Sequence, residues 1–211
     1  MKILNLYAGL GGNRYGWGDD HKIHSFEYNL DIASIYKERF KRDYIYTHDA
    51  HEWLLTLHKG AGFDFIWSSP PCQTHSSFRQ NICVRYRGTP PVYPDMKLWQ
   101  EILFLQANAT CNWVVENVKP YYTPLIPPSF TIGRHYFWSN KVIDTSLFTP
   151  RKSNIRSAQI KDLQLYHDID LSHVKISNKR QLLRNMVDYE VGKFVMDEIM
   201  KQPFKEVEDG E

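Results

Sequence analysis

Ile3-Leu4-Asn5-Leu6-Tyr7-Ala8-Gly9-Leu10-Gly11-Gly12 opens the chain with an apolar, strand-like run and a glycine-rich turn directly behind it. Glycines at a strand-to-helix turn let backbone approach a ligand closely and leave the first helical N–H groups free. A dinucleotide fingerprint would need one more glycine at position 14, where this chain has Arg14. A nicotinamide or flavin loop is therefore a poor reading of the turn. Strand and helix patterns alternate from there. Ile23-His24-Ser25-Phe26 reads as a second strand ending at Glu27. An acid at that point of a doubly wound sheet can accept from ribose hydroxyls, and with the glycine turn before it this outweighs an ordinary surface glutamate. Asp31 to Arg42 has helical spacing through Ile32, Ile35, Tyr36 and Phe40. Tyr44 to Thr47 is a third strand leading to Asp49, which can serve a ligand, cap a helix over residues 50–59, or do both. Such alternation predicts an α/β fold with a doubly wound, mostly parallel sheet.

Phe63 to Trp67 is a fourth strand, followed by Ser68-Ser69-Pro70-Pro71-Cys72-Gln73-Thr74-His75-Ser76. The two prolines stop the strand and stiffen the turn, so Cys72 is held on a rigid corner at the ligand edge of the sheet. The plainer reading is a half-buried structural cysteine. Arg79 to Asp95 shows no period and reads as an irregular loop, either a lid or a static surface. Leu98 to Ala109 is a helix, and Asn112 to Val115 a strand running into Glu116-Asn117-Val118. Glu116 thus falls on the same sheet edge as Cys72. Residues 132–139 read as one further strand containing Arg134. The spacing over 187–200 is helical again.

The 211 residues suffice for one domain with a sizeable core, and 42% hydrophobic with 14% aromatic content argues a folded globule. No apolar run reaches the ~20 residues that cross a bilayer. Three cysteines without paired spacing predict free thiols in a reducing compartment, the cytoplasm. The net charge of +2 is uneven. Residues 119–185 carry 11 basic and 4 acidic side chains, and residues 186–211 carry 3 basic and 8 acidic. A basic block suits a polyanion, although a solvated surface without a partner reads equally well from charge alone. His21 with His24, and His48 with His51, have metal-like spacing but straddle element boundaries and lack a partner acid or cysteine pair, so no metal is predicted.

Pro70-Pro71-Cys72-Gln73 resembles the nucleophile motif of the cytosine-C5 DNA methyltransferases, and the other motifs of that family follow in order. Tyr7-Ala8-Gly9-Leu10-Gly11-Gly12 resembles the first motif, which wraps the methionine half of S-adenosylmethionine. The resemblance implies cofactor contacts from Glu27 and its neighbour Tyr28, from Asp49 with Ala50, and from Pro70. Glu116-Asn117-Val118 resembles the sixth motif. Arg134 matches the eighth-motif arginine that contacts the cytosine ring, within a pattern broken by Gly133 and Tyr136. Arg184-Asn185-Met186-Val187 resembles the last motif with its glycine replaced, so that Asn185 and Val187 carry over. The implied fold is the Rossmann-like class I S-adenosylmethionine-dependent methyltransferase fold.

On this reading residues 1–143 form the catalytic and cofactor-binding core. Residues 144–184 form a reduced, basic target-recognition segment, 185–203 a C-terminal helix packing back on the core, and 204–211 an acidic tail. Typical members carry a whole recognition domain where this chain has 144–184. Compact versions, with His75 where an aromatic usually sits, look like phage-encoded members.

The implied chemistry sets its own requirements. Cytosine C5 is a poor nucleophile until a thiolate adds at C6, a task for Cys72. An acid must hydrogen-bond N3 and the exocyclic amine as charge builds, which suits Glu116 if burial raises its pKa. The base that removes the C5 proton is expected to be water-borne. A duplex substrate has to be flipped out of its stack. DNA is the expected partner, with phosphate contacts from Arg79, Arg85, Arg87, Arg151, Lys152, Lys179 and Arg180. RNA or a free cytosine nucleotide would fit the same chemistry. A non-catalytic nucleic-acid binder on a decayed fold is the alternative from another class.

Overall fold

A computed structural model describes residues 1–57, 62–151 and 157–204. Among these, seven strands form one sheet: β1 (Lys2–Leu6), β2 (Lys22–Phe26), β3 (Tyr44–Tyr46), β4 (Phe65–Ser68), β5 (Asn112–Val118), β6 (Phe130–Ile132) and β7 (His135–Ser139). Their order is β3-β2-β1-β4-β5-β7-β6. β1 to β5 run parallel, and β7 is antiparallel to both β5 and β6. The helices are α1 (Gly12–Tyr15), α2 (Leu30–Arg39), α3 (Ala50–Leu55), α4 (Arg85–Arg87), α5 (Lys97–Asn108), α6 (Ile160–His167), α7 (Lys179–Asn185) and α8 (Tyr189–Met200). Parallel neighbours need crossover connections, so the alternating pattern folds as the expected Rossmann-like sheet.

The central strands are buried on both faces, which is why they read as continuous apolar runs. Ile3, Phe65, Trp67 and Val114 turn to a layer completed by Trp17 and by Val191, Val195 and Ile199 of α8. Leu4, Leu6, Ile66 and Val115 turn to the other side, against Leu54 of α3 and Leu98, Ile102 and Leu105 of α5. Each such side chain contributes about 1.5–3 kcal/mol by leaving water. The basic stretch after residue 143 is not a bare flap. Leu163, Leu171, Leu183 and Met186 pack on Leu10, Ile32 and Ile35, which seats α6 and α7 over α2 and the glycine turn.

Two local expectations are corrected. The single strand expected over 132–139 is a hairpin, because Gly133 adopts φ 56° and reverses the chain between β6 and β7. Arg134 therefore stands in an exposed turn. The irregular loop expected over 79–95 contains a π-helix, Arg79–Val84, that runs into α4 and stops at Gly88 with φ 65°. A π-helix does not keep the 3.6-residue period, so no apolar rhythm marks it in the sequence. Residues 58 and 59 of the helix expected over 50–59, Lys152 and the tail after Phe204 lie outside the described residues.

The first turn rests on a buried polar layer. Arg14, out of place in a dinucleotide loop, donates to both oxygens of buried Asp43, from Nε at 2.7 Å and Nη2 at 3.0 Å. Tyr36 Oη donates to the same carboxylate at 2.7 Å. Gly12 meets the C-terminal region so closely that a Cβ there would stand 2.2 Å from the Val187 carbonyl oxygen. Gly12→Ala is expected to cost about 1–3 kcal/mol through this overlap with backbone. Thermal melting checks it: a chain of this size loses about 3 °C per kcal/mol, and an unchanged Tm would show that the two segments do not press together.

Candidate active site

The five parallel strands all end on one edge, and a cleft of about 1040 Å³ opens there. It is lined by Tyr7, Ala8, Gly9, Leu10 and Gly12 from the first turn, and by Glu27 and Tyr28 after β2. Asp49 and Ala50 line it beyond β3, and Pro70 and Cys72 beyond β4. Glu116, Arg134, Asn185 and Val187 complete it from β5, the hairpin and the stretch before α8. Gly11 is the one predicted site residue that does not reach the cleft. It is buried at φ 75°, with Phe40 filling the space a Cβ would need.

The acids on the first half of the edge are shared between holding the fold and facing the cleft. Glu27 Oε2 accepts from Gly9 N at 3.0 Å and Oε1 from Asn29 N at 2.9 Å, so each oxygen keeps one lone pair in reserve. Burial raises the Glu27 pKa, against the pull of these two N–H groups. Asp49 caps α3 through Oδ1, which accepts from His51 N and Glu52 N. Among the described residues its Oδ2 meets only Lys97 Nζ, at 3.4 Å. Desolvation works against the Asp49 carboxylate, yet the cap N–H groups and Lys97 hold its pKa below the usual range.

Glu101, which the sequence reading passed over, ties three segments of the site together. Its fully buried carboxylate accepts from Tyr7 Oη at 2.5 Å and Ser68 Oγ at 2.7 Å, and lies 3.0 Å from His51 Nδ1. One side chain thus fixes the glycine turn, the start of the Pro-Pro-Cys corner and α3. Glu101→Ala leaves these groups without their acceptor and is expected to cost about 3–5 kcal/mol, whereas Glu101→Gln keeps the shape and costs less. Denaturant midpoints decide it: an alanine variant as stable as the parent would show the network to be idle.

Cys72 and Glu116 meet because neighbouring strands end unevenly. Ser68, the last residue of β4, pairs with Val115 of β5, so Glu116 lies one residue beyond β4, beside the departing corner. The corner is pinned from below, where Asn117 Nδ2 donates to the Pro70 carbonyl at 2.9 Å. It then winds tightly, the Cys72 carbonyl accepting from His75 N and Ser76 N. Burial raises the Glu116 carboxyl from 4.5 to about 7, opposed by a hydrogen bond with Ser69 and by the Arg134 charge. Burial, and then the Glu116 charge, push the Cys72 thiol up to about 11, while Arg134 pulls it down. A thiol, an acid near neutrality and a cation therefore act on one another across one space. His135, also missed from sequence, has Nε2 3.8 Å from Glu116 Oε1. Burial pushes its pKa down to about 3 and keeps it neutral. His75 is buried, with its Nδ1 hydrogen-bonded to Tyr122 Oη.

The predicted phosphate contacts divide. Arg79 and Arg180 line the cleft, and Arg85 and Arg87 are exposed. Arg151 is engaged internally, forming ion pairs with Asp188 and Glu190 and stacking on Tyr166 and Tyr189. Lys179 Nζ donates to the Leu171 carbonyl. Arg184, standing where the motif has glycine, sets its guanidinium 5.5 Å from the Phe78 ring, and its carbonyl accepts from Arg134 Nη2 at 3.4 Å. The three cysteines are free thiols. Among the described residues no group of three or more His, Cys, Asp or Glu is placed to hold a metal, and no helix is long and apolar enough to cross a membrane.

A family model described as C-5 cytosine-specific DNA methylase matches residues 1–122. Arg134, Asn185 and Val187 lie beyond the match. No curated protein matches the chain significantly. Among solved structures, a protein named as a DNA modification methyltransferase encoded within an E. coli prophage is 16% identical, with a TM-score of 0.46 over 78% of this chain and 54% of its own. A DNMT2 mutant from Spodoptera frugiperda is 26% identical, with a TM-score of 0.38 over 56% of this chain and 35% of its own. A conserved hypothetical protein of Streptococcus pyogenes is 15% identical, with a TM-score of 0.41 over 66% of this chain and 86% of its own.

Proposed function

The chain belongs to the C-5 cytosine-specific DNA methylase family, and from that premise we propose that it methylates C5 of cytosine in DNA through a covalent bond between Cys72 Sγ and C6. The observation that carries the reading is the convergence of Cys72 and Glu116, with Arg134 beside them, in the cleft that also contains the glycine turn. The residues present fit S-adenosylmethionine. Gly9 lies at φ 53°, with nothing within 4 Å of where a Cβ would be, so a ligand can lie against the turn. Glu27 has lone pairs left for ribose hydroxyls, Asp49 Oδ2 is open to an amine, and Phe26 and Ile32 give apolar cover. Bound there, S-adenosylmethionine supplies an electrophilic methyl group.

The chain's own residues prepare the pyrimidine. Cys72 gives its thiol proton to the Glu116 carboxylate and bonds C6, which makes C5 electron-rich. Glu116 in its acid form donates to N3 and offsets the negative charge that collects on the ring. Arg134 supports both by favouring the thiolate and holding the ring. Once C5 is substituted, a water-borne base takes its proton and the S–C6 bond breaks, restoring the cysteine. Asn117 and the two prolines keep Sγ from drifting, which matters because small misplacements cost large factors in rate. The basic 119–185 block supports a polymer substrate over a free nucleotide.

The test offers labelled S-adenosylmethionine with duplex DNA, tRNA or dCMP. Label in 5-methylcytosine of DNA is the expected result. Label confined to tRNA or dCMP would move the substrate and keep the chemistry. No label anywhere, with no S-adenosylmethionine binding by calorimetry, would leave a nucleic-acid binder on a decayed site.

A further inference from the structure

The hairpin that puts Arg134 in a turn also delivers His135 to the reacting acid. β5 and β7 are antiparallel, with Glu116 opposite Phe137 and Val118 opposite His135. Positions two apart on a strand share a face, so Glu116 and His135 are diagonal neighbours on one side of the sheet. Their side chains approach there, His135 Nε2 lying 3.8 Å from Glu116 Oε1. The two differ in access. Glu116 keeps 8% of its side chain exposed, whereas His135 keeps 20% and lines the cleft. The carboxyl also hydrogen-bonds Ser69. It thus has two polar neighbours, a hydroxyl at the start of the nucleophile's turn and an imidazole on the hairpin. Among the described residues no hydrogen bond engages the His135 ring, so its nitrogens are unspent. Burial and then Arg134 oppose a second proton on that ring, as does Lys119, against the pull of Asp188.

We propose that His135 is a positioning residue for Glu116: its imidazole donates from Nε2 to Oε1 and fixes the carboxyl in the orientation that presents the acid to the pyrimidine edge. The inference rests on the methyltransferase reading for the pyrimidine. At 3.8 Å the pair is about 0.8 Å longer than a typical hydrogen bond, and such bonds commonly tighten only when substrate fills the site. A donor on Oε1 leaves that oxygen an acceptor, so the acid proton rests on the other oxygen, where N3 can accept from it. The second lone pair of Oε1 then remains for the exocyclic amine. The missing charge on His135 matters as much as the donor. A cation at this spot would hold Glu116 ionised, and an ionised Glu116 cannot donate to N3. An apolar side chain would leave the carboxyl free to rotate. A neutral N–H orients the group without taking its proton away.

Carboxyl-carbon NMR of the full chain, with the Glu116 signal assigned by its loss in Glu116→Gln, tests this without any methyl transfer. The Glu116 midpoint should stand near 7 in the parent. His135→Phe keeps a ring and removes the donor, so the midpoint should rise by about one pH unit. His135→Gln restores an N–H donor and should hold the parent's midpoint. In turnover, His135→Phe should lower kcat about 10²-fold with KM for duplex DNA within about twofold of the parent. Its rise of kcat/KM with pH should extend upward by the same unit, and His135→Gln should recover most of the lost rate. A histidine that only packs would change the melting temperature and leave both the midpoint and the split between kcat and KM alone. His135→Leu replaces the phenylalanine variant if that one does not fold. An unmoved midpoint in the folded apolar variant, a kcat within about twofold of the parent, or a glutamine variant as impaired as the apolar one would overturn the proposal. A midpoint that moves as expected in a protein that methylates no cytosine would sink the methyltransferase reading alone. A methylating enzyme whose midpoint and kcat ignore the loss of the imidazole would sink this inference alone.

Discussion

Cys72→Ser is expected to abolish methyl transfer, by on the order of 10⁴-fold or more, while leaving the fold and S-adenosylmethionine affinity near those of the parent. The size follows from the chemistry. Without addition at C6 the ring carbon stays unreactive, and a serine hydroxyl is far weaker than a thiolate at neutral pH. The selectivity follows from placement. Cys72 is only half-buried and lines the cleft, so replacing its sulfur removes no core packing. Cys83 shares the cleft and is the internal control: Cys83→Ser should keep activity within a small factor of the parent. Mass spectrometry on 5-fluorocytosine DNA supplies the direct check, because a ring lacking the C5 proton retains the sulfur bond. The adduct should form in the parent and in Cys83→Ser and be missing in Cys72→Ser. Substantial methylation by the Cys72 variant would end the covalent mechanism.

What the sequence disclosed depended on where its physics is local. Short apolar runs rich in aromatic and branched residues, such as Phe65–Trp67, read as buried strands, and a parallel sheet then puts every strand end on one edge. That geometry is why Glu27, Asp49, Cys72 and Glu116 could be expected in one cleft without any contact being known. The π-helix at Arg79–Val84 escaped because its wider turn erases the usual spacing, and the hairpin escaped because one glycine torsion reversed an otherwise strand-like run. Glu101 is the instructive miss. Leu98, Glu101, Ile102 and Leu105 follow the i, i+3, i+4, i+7 rule, so the acid sits on the apolar face of its helix. A charge at such a position has to find buried donors, and that signal was open to reading. The apolar contacts of Leu163 and Leu183 with α2 were not, since they form between segments far apart in a chain stretch dominated by charge.

The pH dependence of the reaction is the second large effect. In the free protein Cys72 keeps its proton up to about 11 and Glu116 up to about 7. The proposed chemistry needs the opposite arrangement, thiolate with carboxylic acid. That form holds as many protons as the thiol–carboxylate pair, so its share rises with pH below 7 and then stays level until the thiol ionises. kcat/KM should accordingly climb about tenfold per pH unit below 7 and flatten above it, although the essential acid is by then mostly ionised. Glu116→Gln removes one of the two titrations and the negative charge that raises the thiol. Its kcat/KM should fall about 10²- to 10⁴-fold near neutrality and keep rising through the parent's plateau. Stability should move the other way. A carboxyl raised from 4.5 to about 7 on folding favours the folded state fully below 4.5, and that contribution is lost as pH rises through 7, about 3 kcal/mol in all. Above pH 7 the glutamine variant should therefore be more stable than the parent by up to that amount, with the gap closing in acid. A parent whose kcat/KM declines just above pH 7, or a glutamine variant with the parent's profile, would show that Glu116 does not share protons with Cys72.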